Sequence, residues 1–242
     1  MHHRRKCKVA VNETQIEWTE LLSKVDVLEP LSSEQLGWVA QKTLGRSFQK
    51  GDSIYIPGDA SEVVFLLLTG RVRLFAMVRH RELTFDVVQA GAIFGEASLM
   101  ERTQNEYAQA LSSAKVGMFE LNAFWSLLRE NVEVNARVIR MLGERYRLTR
   151  GRMTDIALKD SSARLAALIL DLVEYEGVVT REGFYRVITH YTHEELGTMI
   201  GLKRVAVTRA FATLQDHDLV QLRRRQIYVT DLAGLKRVGL AS

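Results

Sequence analysis

The sequence predicts an α+β fold in three parts: a small antiparallel β-domain, a long helix and a carboxy-terminal helical domain ending in a hairpin. Three observations carry this. Short β-rich runs between residues 46 and 121 are punctuated by glycines. Glycine then nearly vanishes from 122 to 156 while apolar residues recur at helical steps. From Thr192 onward two helical patterns meet at a glycine.

The 242 residues are 47% hydrophobic and 26% charged, enough to bury a core and suited to one large or two modest globular domains. Residues 1–17 read as a flexible basic tail that carries the His2-His3 pair. From 18 to 43, Leu21, Leu22, Val25 and Leu28, then Leu36, Val39 and Ala40, recur at helical spacing, with Pro30 and Ser32-Ser33 between them. Short helices are expected there. The single cysteine, Cys7, leaves no disulfide framework and no cysteine-rich metal or iron-sulfur site within one chain. No signal-peptide apolar core follows the basic start, and the longest apolar run, 63–68, is too short to span a bilayer. A cytoplasmic protein with no membrane partner is expected.

The β-rich runs fall at 53–56, 63–68, 72–78, 83–88 and 116–121, separated by Gly51, Gly58, Gly70, Gly91 and Gly95. Strands at this spacing suit a double-sheet jelly roll, or β-roll, whose two sheets enclose a pocket. In the following stretch Val134, Val138, Met141, Arg145, Leu148 and Arg152 alternate steps of four and three, marking a long helix with one seam. The seam can pack on the β-domain or join a second copy. A helix of this length outreaches a small domain, which favours a homodimer, although Arg145 and Arg152 interrupt the seam.

A domain boundary is expected near 158–159. Beyond it, Asp160 or Ser161 caps a helix with Leu165, Leu168, Ile169, Leu172 and Val173 on one face, ending near Gly177. Thr192-His193-Glu194-Glu195 has the form of a capping box, in which hydroxyl and carboxylate satisfy each other's free amides. Leu196, Met199 and Ile200 then face inward, Gly197 allows a close crossing, and Gly201 supplies the positive φ of an abrupt helix end.

A second helix starts around 202–204 and runs to about 216. Its buried stripe is Val207, Phe211 and Leu214, which leaves Arg204, Val205, Thr208 and Arg209 outward. Arginine can pair bidentately with guanine, threonine can meet a base edge or a thymine methyl, and the start of such a helix can enter a major groove. This helix-turn-helix implies double-stranded DNA as partner. Runs at 219–223 and 226–230, joined at Arg224-Arg225, form a wing tipped by the run Arg223-Arg224-Arg225, suited to phosphates. Net charge is only +4, and after residue 158 twelve Lys/Arg face ten Asp/Glu, so local arrangement has to supply any attraction to DNA.

These pieces resemble the CRP/FNR superfamily of bacterial regulators over almost the whole chain after residue 18. Lys50-Gly51-Asp52 through Gly58-Asp59, Leu67-Leu68-Thr69-Gly70-Arg71-Val72 and Gly91-Ala92-Ile93-Phe94-Gly95-Glu96 are similar to its β-roll. Glu195-Leu196-Gly197 through Ile200-Gly201 and Arg204-Val205-Ala206-Val207-Thr208-Arg209 are similar to its DNA-reading unit, the latter in the form seen in cyanobacterial nitrogen regulators. The resemblance implies a tail (1–17), a cyclic-nucleotide-binding-like effector domain (18–121), a dimerisation helix region (122–158) and a winged helix-turn-helix domain (159–242). It also implies a transcriptional regulator that binds a pseudo-palindromic operator as a homodimer, and meets RNA polymerase if it activates.

By position, Arg204, Val205 and Arg209 match the base-contacting trio and Thr192 a phosphate contact. Val205 stands where many members have glutamate, so the preferred half-site should differ at that base. Lys203 replaces a frequent serine cap and places a cation toward the phosphates. In the pocket, Gly95 and Glu96 match the turn and the ribose carboxylate. Glu106 and Tyr107, however, stand where cAMP binders have arginine and a hydroxyl residue, and a carboxylate there repels phosphate. Thr149 falls where an adenine contact would come, with Arg150 beside it.

A cAMP response is therefore not expected. An unidentified small molecule, such as an organic acid held by Arg150 or another arginine, or control without a ligand, fits better, and no cofactor is expected. His80 reads as an exposed hairpin residue rather than a haem ligand. No phosphate loop, nucleophile elbow or metal-spaced His/Glu pair stands out, so the chain is not expected to be an enzyme. The competing function is a ligand-sensing adaptor acting through protein contacts.

Overall fold

A computed structural model of the chain describes residues 15–60, 62–101 and 103–240. Cys7 and the His2-His3 pair lie outside them. The helical pattern begins at Gln15, inside the stretch expected to be tail. The chain divides into two compact units, one comprising Met1–Met77 with Phe85–Arg145, the other Val78–Thr84 with Tyr146–Ser242.

The first unit opens with helices α1 (Gln15–Leu22) and α2 (Ser33–Gln41). The Ser32 hydroxyl accepts from the Gln35 amide while the Gln35 side chain accepts from the Ser32 N–H, a complete capping box. Strands β1 (Thr43–Phe48), β2 (Ser53–Tyr55), β3 (Val63–Thr69), β4 (Arg71–Val78), β5 (Arg81–Gln89), β6 (Ile93–Phe94), β7 (Tyr107–Ala110) and β8 (Ala114–Glu120) follow. They form two four-stranded sheets, ordered β1-β8-β3-β6 and β2-β7-β4-β5, as expected of a double-sheet roll.

Strand β3 shows why its sequence is apolar throughout. Side chains alternate in direction along a strand, so Val64, Leu66 and Leu68 join the core beneath the helices, while Phe65 and Leu67 join the core between the sheets. Sequence reasoning missed β1, β6 and β7. In β1 only Phe48 is buried, so the strand has little apolar alternation, and its first residue, Thr43, sat at the end of the stretch expected to be helical. The other two have two and four residues, too short for periodicity to register.

The single long helix expected from 122 to 156 is two helices, α3 (Leu121–Glu130) and α4 (Val132–Leu158). Asn131 breaks them apart with an extended backbone, its side-chain amide donating to Leu127 O at 3.1 Å while its side-chain oxygen accepts from Gln35. The expected seam is also corrected: Val134 and Val138 are buried in the first unit's own core, with Met141 packed against it. Of the large apolar residues that α4 leaves exposed, Val132, Ile139, Tyr146 and Met153 each stand seven residues after the last, and Leu158 is exposed at the helix end.

In the second unit, α5 (Ser161–Glu176) is capped by Asp160, whose carboxylate accepts from the Ala163 amide at 2.8 Å. Strands β9 (Gly177–Val179) and β10 (Tyr185–Val187) form a hairpin that sequence reasoning missed. It extends the sheet of β11 (Val220–Arg223) and β12 (Gln226–Val229) to four strands, ordered β11-β12-β10-β9. Helices α6 (His193–Ile200), α7 (Arg204–Asp216) and α8 (Leu232–Leu240) complete the unit. Leu165, Ile169, Leu196, Val207, Phe211 and Leu235 are all buried. Among the described residues no helix is long and apolar enough to cross a membrane.

Candidate nucleic-acid interface

The turn between α6 and α7 follows from three local features. At its start, Thr192 N–H donates to the Glu195 carboxylate at 2.7 Å, and the Thr192 hydroxyl accepts from the Glu195 amide at 3.1 Å. The hydroxyl hydrogen of Thr192 is not used by this cap and can still be donated to a phosphate. At the end of α6, Gly201 takes a φ of 68°, the left-handed conformation that costs glycine little. Between them, a Cβ on Gly197 would lie 2.5 Å from Leu202 O, so only glycine allows the chain to double back this closely.

Helix α7 buries Val207, Ala210, Phe211 and Leu214 against the unit's core. The opposite face carries Lys203, Arg204, Val205, Thr208 and Arg209, all exposed, with Val205 62% exposed despite its apolar side chain. Lys203 holds the N-cap position but makes no side-chain cap bond, leaving the first amides of α7 for another acceptor. Thr208 is less free than the sequence suggests. Its hydroxyl donates to Arg204 O at 3.0 Å and stands 2.9 Å from His193 Nδ1. The His193 ring stacks on Phe211, with centroids 4.9 Å apart. Burial, with the Arg204 charge in second place, lowers the His193 pKa and favours neutral imidazole.

The wing turns at Arg224 and Arg225, whose φ values are 50° and 66°. This two-residue turn of positive φ normally favours Asn-Gly, so two arginines there are held against their backbone preference. The third arginine of the run is diverted. Arg223 pairs with Glu182 at 2.8 Å and lies over the Phe184 and Tyr228 rings, and so braces the base of the wing rather than its tip. Among the described residues Lys203, Arg204, Arg209, Arg224 and Arg225 have no salt-bridge partner. Their charges are uncommitted on one unit, as an anionic partner requires.

The pocket residues expected in the β-roll behave differently. Gly95 has a φ of 74° and lies against the Phe65 ring. From it, Glu96 presents its carboxylate to Arg145 Nη1 at 2.9 Å, while Arg145 Nη2 donates to Ile93 O at 2.7 Å and Nε lies 3.4 Å from Asp86. Arg145 thus leaves the expected seam and turns into the first unit, where its side chain is only 17% exposed. Glu106 accepts from the Tyr55 hydroxyl at 3.0 Å. Burial, outweighing the Tyr55 hydrogen bond and the Arg145 charge and reinforced by Glu96 and Asp86, raises the Glu106 pKa to about 7. Tyr55, Phe65 and Phe94 stack beside this cluster.

Tyr107 turns to stack on Phe75, with centroids 5.0 Å apart. Thr149 and Arg150 are exposed on the part of α4 that belongs to the second unit, with Arg150 lying over the Tyr146 ring. Sequence reasoning missed Asp86, Tyr55 and the inward role of Arg145. The one signal available for Arg145 was a charge in an otherwise apolar stripe. His80 lies in the tight turn between β4 and β5, with φ of 65°, exposed as expected.

Residues 45–131 match the cyclic nucleotide-binding domain family, and residues 163–238 match the Crp-like helix-turn-helix domain family. The chain is 29% identical to the transcriptional regulator SdrP of Thermus thermophilus, over 80% of this chain and 93% of that protein. It is 26% identical to the global nitrogen regulator of Nostoc sp., over 79% of this chain and 87% of that protein. A solved CooA mutant from Carboxydothermus hydrogenoformans shares the fold with a TM-score of 0.78 at 22% identity, covering 88% of this chain and 95% of that one.

Proposed function

The chain belongs to the CRP/FNR family of DNA-binding transcriptional regulators, and we propose that it grips a pseudo-palindromic operator as a homodimer, with α7 of each protomer in a major groove. The observation that carries this is the division of α7 into a buried stripe and an exposed face of Arg204, Val205, Thr208 and Arg209. Arg204 and Arg209 read guanines through bidentate bonds, and Val205 meets a thymine methyl where a glutamate would accept from cytosine. Thr192, Lys203, Arg224 and Arg225 hold phosphates.

The second copy docks on α4 through Val132, Ile139, Tyr146 and Met153. These exposed apolar side chains recur every seven residues, the period of one core position of a two-stranded coil. Two α7 helices then address half-sites about one helical turn apart. In the first unit, Arg145 occupies Glu96, and Glu106 supplies a carboxylate where a cyclic phosphate would need a cation. Cyclic AMP is therefore not the effector. A cytoplasmic location follows from the operator, and RNA polymerase is a further partner if the protein activates.

In vitro selection from a randomised duplex library tests this proposal. Enrichment of a two-fold symmetric sequence with half-site centres about 10 base pairs apart is expected. An asymmetric single site, or no enrichment, contradicts it.

A further inference from the structure

His193 lies on α6, outside the set of residues assigned to DNA, yet it is tied to that set by two contacts. Its Nδ1 is 2.9 Å from the Thr208 hydroxyl oxygen, and its ring lies nearly parallel to Phe211 at 13°. A threonine hydroxyl has one hydrogen, and that of Thr208 goes to Arg204 O. Both contacts are hydrogen bonds at once when Nδ1 carries the imidazole proton and donates to the hydroxyl oxygen. Phe211 holds the ring plane from below, since it is buried in the unit's core.

With its hydroxyl engaged on both sides, Thr208 cannot turn that group toward a base. What it has left to present is its γ-methyl. Val205 lies one helical turn earlier on the same exposed face, so methyl groups at positions i and i+3 sit side by side between Arg204 and Arg209. Of the two contacts open to Thr208, a base edge or a thymine methyl, the geometry favours the methyl.

We infer that His193 is a positioning residue for base readout: by holding the Thr208 hydroxyl against α7 it turns Thr208 into a methyl reader, which with Val205 recognises the C5-methyl of thymine. The inference rests on α7 being the DNA-reading helix. His193 itself touches no base. Its effect is to remove a rotamer in which the hydroxyl would face the groove and hydrogen-bond without preference.

Deoxyuridine differs from thymidine only by this methyl and so isolates the contact. The probe is the duplex that the wild-type protein selects from a randomised library, with each thymine replaced in turn by deoxyuridine. One or two thymines per half-site are expected to cost the wild type about threefold to fivefold in affinity when the methyl is removed, the size of one buried methyl contact. His193→Phe keeps the stacking on Phe211 but cannot donate, and should lose thymine preference at the Thr208 position while keeping it at the Val205 position. His193→Asn restores a donor near Nδ1 and should recover it. Thr208→Val has no hydroxyl to restrain, so in that background His193→Phe should leave thymine preference unchanged.

A His193→Phe protein with the wild-type thymine-to-deoxyuridine ratio at every position would overturn the inference. So would a wild type insensitive to deoxyuridine throughout. Failure of the wild type to select any duplex would instead remove the DNA-reading role of α7 on which the inference stands.

Discussion

Arg145 Nη1 donates to Glu96 Oε1 at 2.9 Å inside the first unit, so the carboxylate matched by position to ribose recognition is already held by a side chain of the same protein. The same guanidinium bonds Ile93 O and faces Asp86, whereas among the described residues Glu106 has only the Tyr55 hydroxyl in hydrogen-bonding contact. The charge of Glu106 is therefore the least compensated in the cluster.

That imbalance sets a pH dependence. The folded-state pKa of Glu106 is raised from 4.5 to about 7, chiefly by burial. Its protonated form is favoured by folding, so the associated stability is complete below about 4.5 and is lost as pH rises through about 7. Glu106→Gln keeps a neutral group there at all pH. Urea unfolding should show the wild type losing stability between pH 5 and 8 and Glu106→Gln losing less, with the variant ahead by at most about 3 kcal/mol at pH 8. Parallel pH profiles would rule out this role for Glu106.

Gly197→Ala places a methyl 2.5 Å from the backbone oxygen of Leu202, an atom that no flexible side chain can carry out of the way. A loss of roughly 1–3 kcal/mol is expected from such overpacking, together with weaker operator binding, because the α6–α7 crossing has to open. Differential scanning calorimetry and a gel shift on the same preparation check both. An unchanged melting temperature would mean that the close approach is not needed.

The wing offers an effect of opposite signs. Replacing Arg224 by Asn and Arg225 by Gly suits φ values of 50° and 66° and should stabilise the protein by roughly 1–2 kcal/mol. The same change should weaken operator binding and lower the slope of log K against log salt by about two per protomer, one for each lost phosphate contact. Stabilisation without any change in salt slope would leave the arginines at the wing without a role in DNA binding.

Ile139 and Tyr146 are 64% and 66% exposed on α4 and stand one heptad apart. Carboxylates there would repel across a two-fold seam, so the Ile139→Glu/Tyr146→Glu variant should sediment as a 27.5 kDa monomer where the wild type sediments as a dimer. Dimeric sedimentation of the variant would place the interface elsewhere.

Much of this was legible in the sequence wherever a local rule decides. The Thr192–Glu195 capping box, the Gly201 turn and the buried stripe of α7 each depend on residues within about two helical turns of one another, and all three formed as expected. The β-roll could be read because its longer strands carry alternation and glycine turns, whereas β6 and β9 are too short to carry any pattern. What stayed hidden were side chains whose direction is set by distant partners. Arg145 has the spacing of a seam residue, and it is drawn inward by Glu96, 49 positions away, together with Ile93 O and Asp86. Arg223 reads as one of three wing-tip cations until Glu182 and two aromatic rings claim it. The two apolar stripes of α4 overlap in sequence, and which one packs internally depends on the roll that it meets.

The most direct test is the affinity of Arg204→Ala and Arg209→Ala for the selected duplex, measured by fluorescence anisotropy at fixed salt beside a scrambled duplex. Each guanidinium is worth about 1–3 kcal/mol per half-site, so each variant should lose at least tenfold on the selected duplex and much less on the scrambled one. Binding of both variants within twofold of the wild type, with the selected sequence still preferred, would show that the exposed face of α7 does not read the operator.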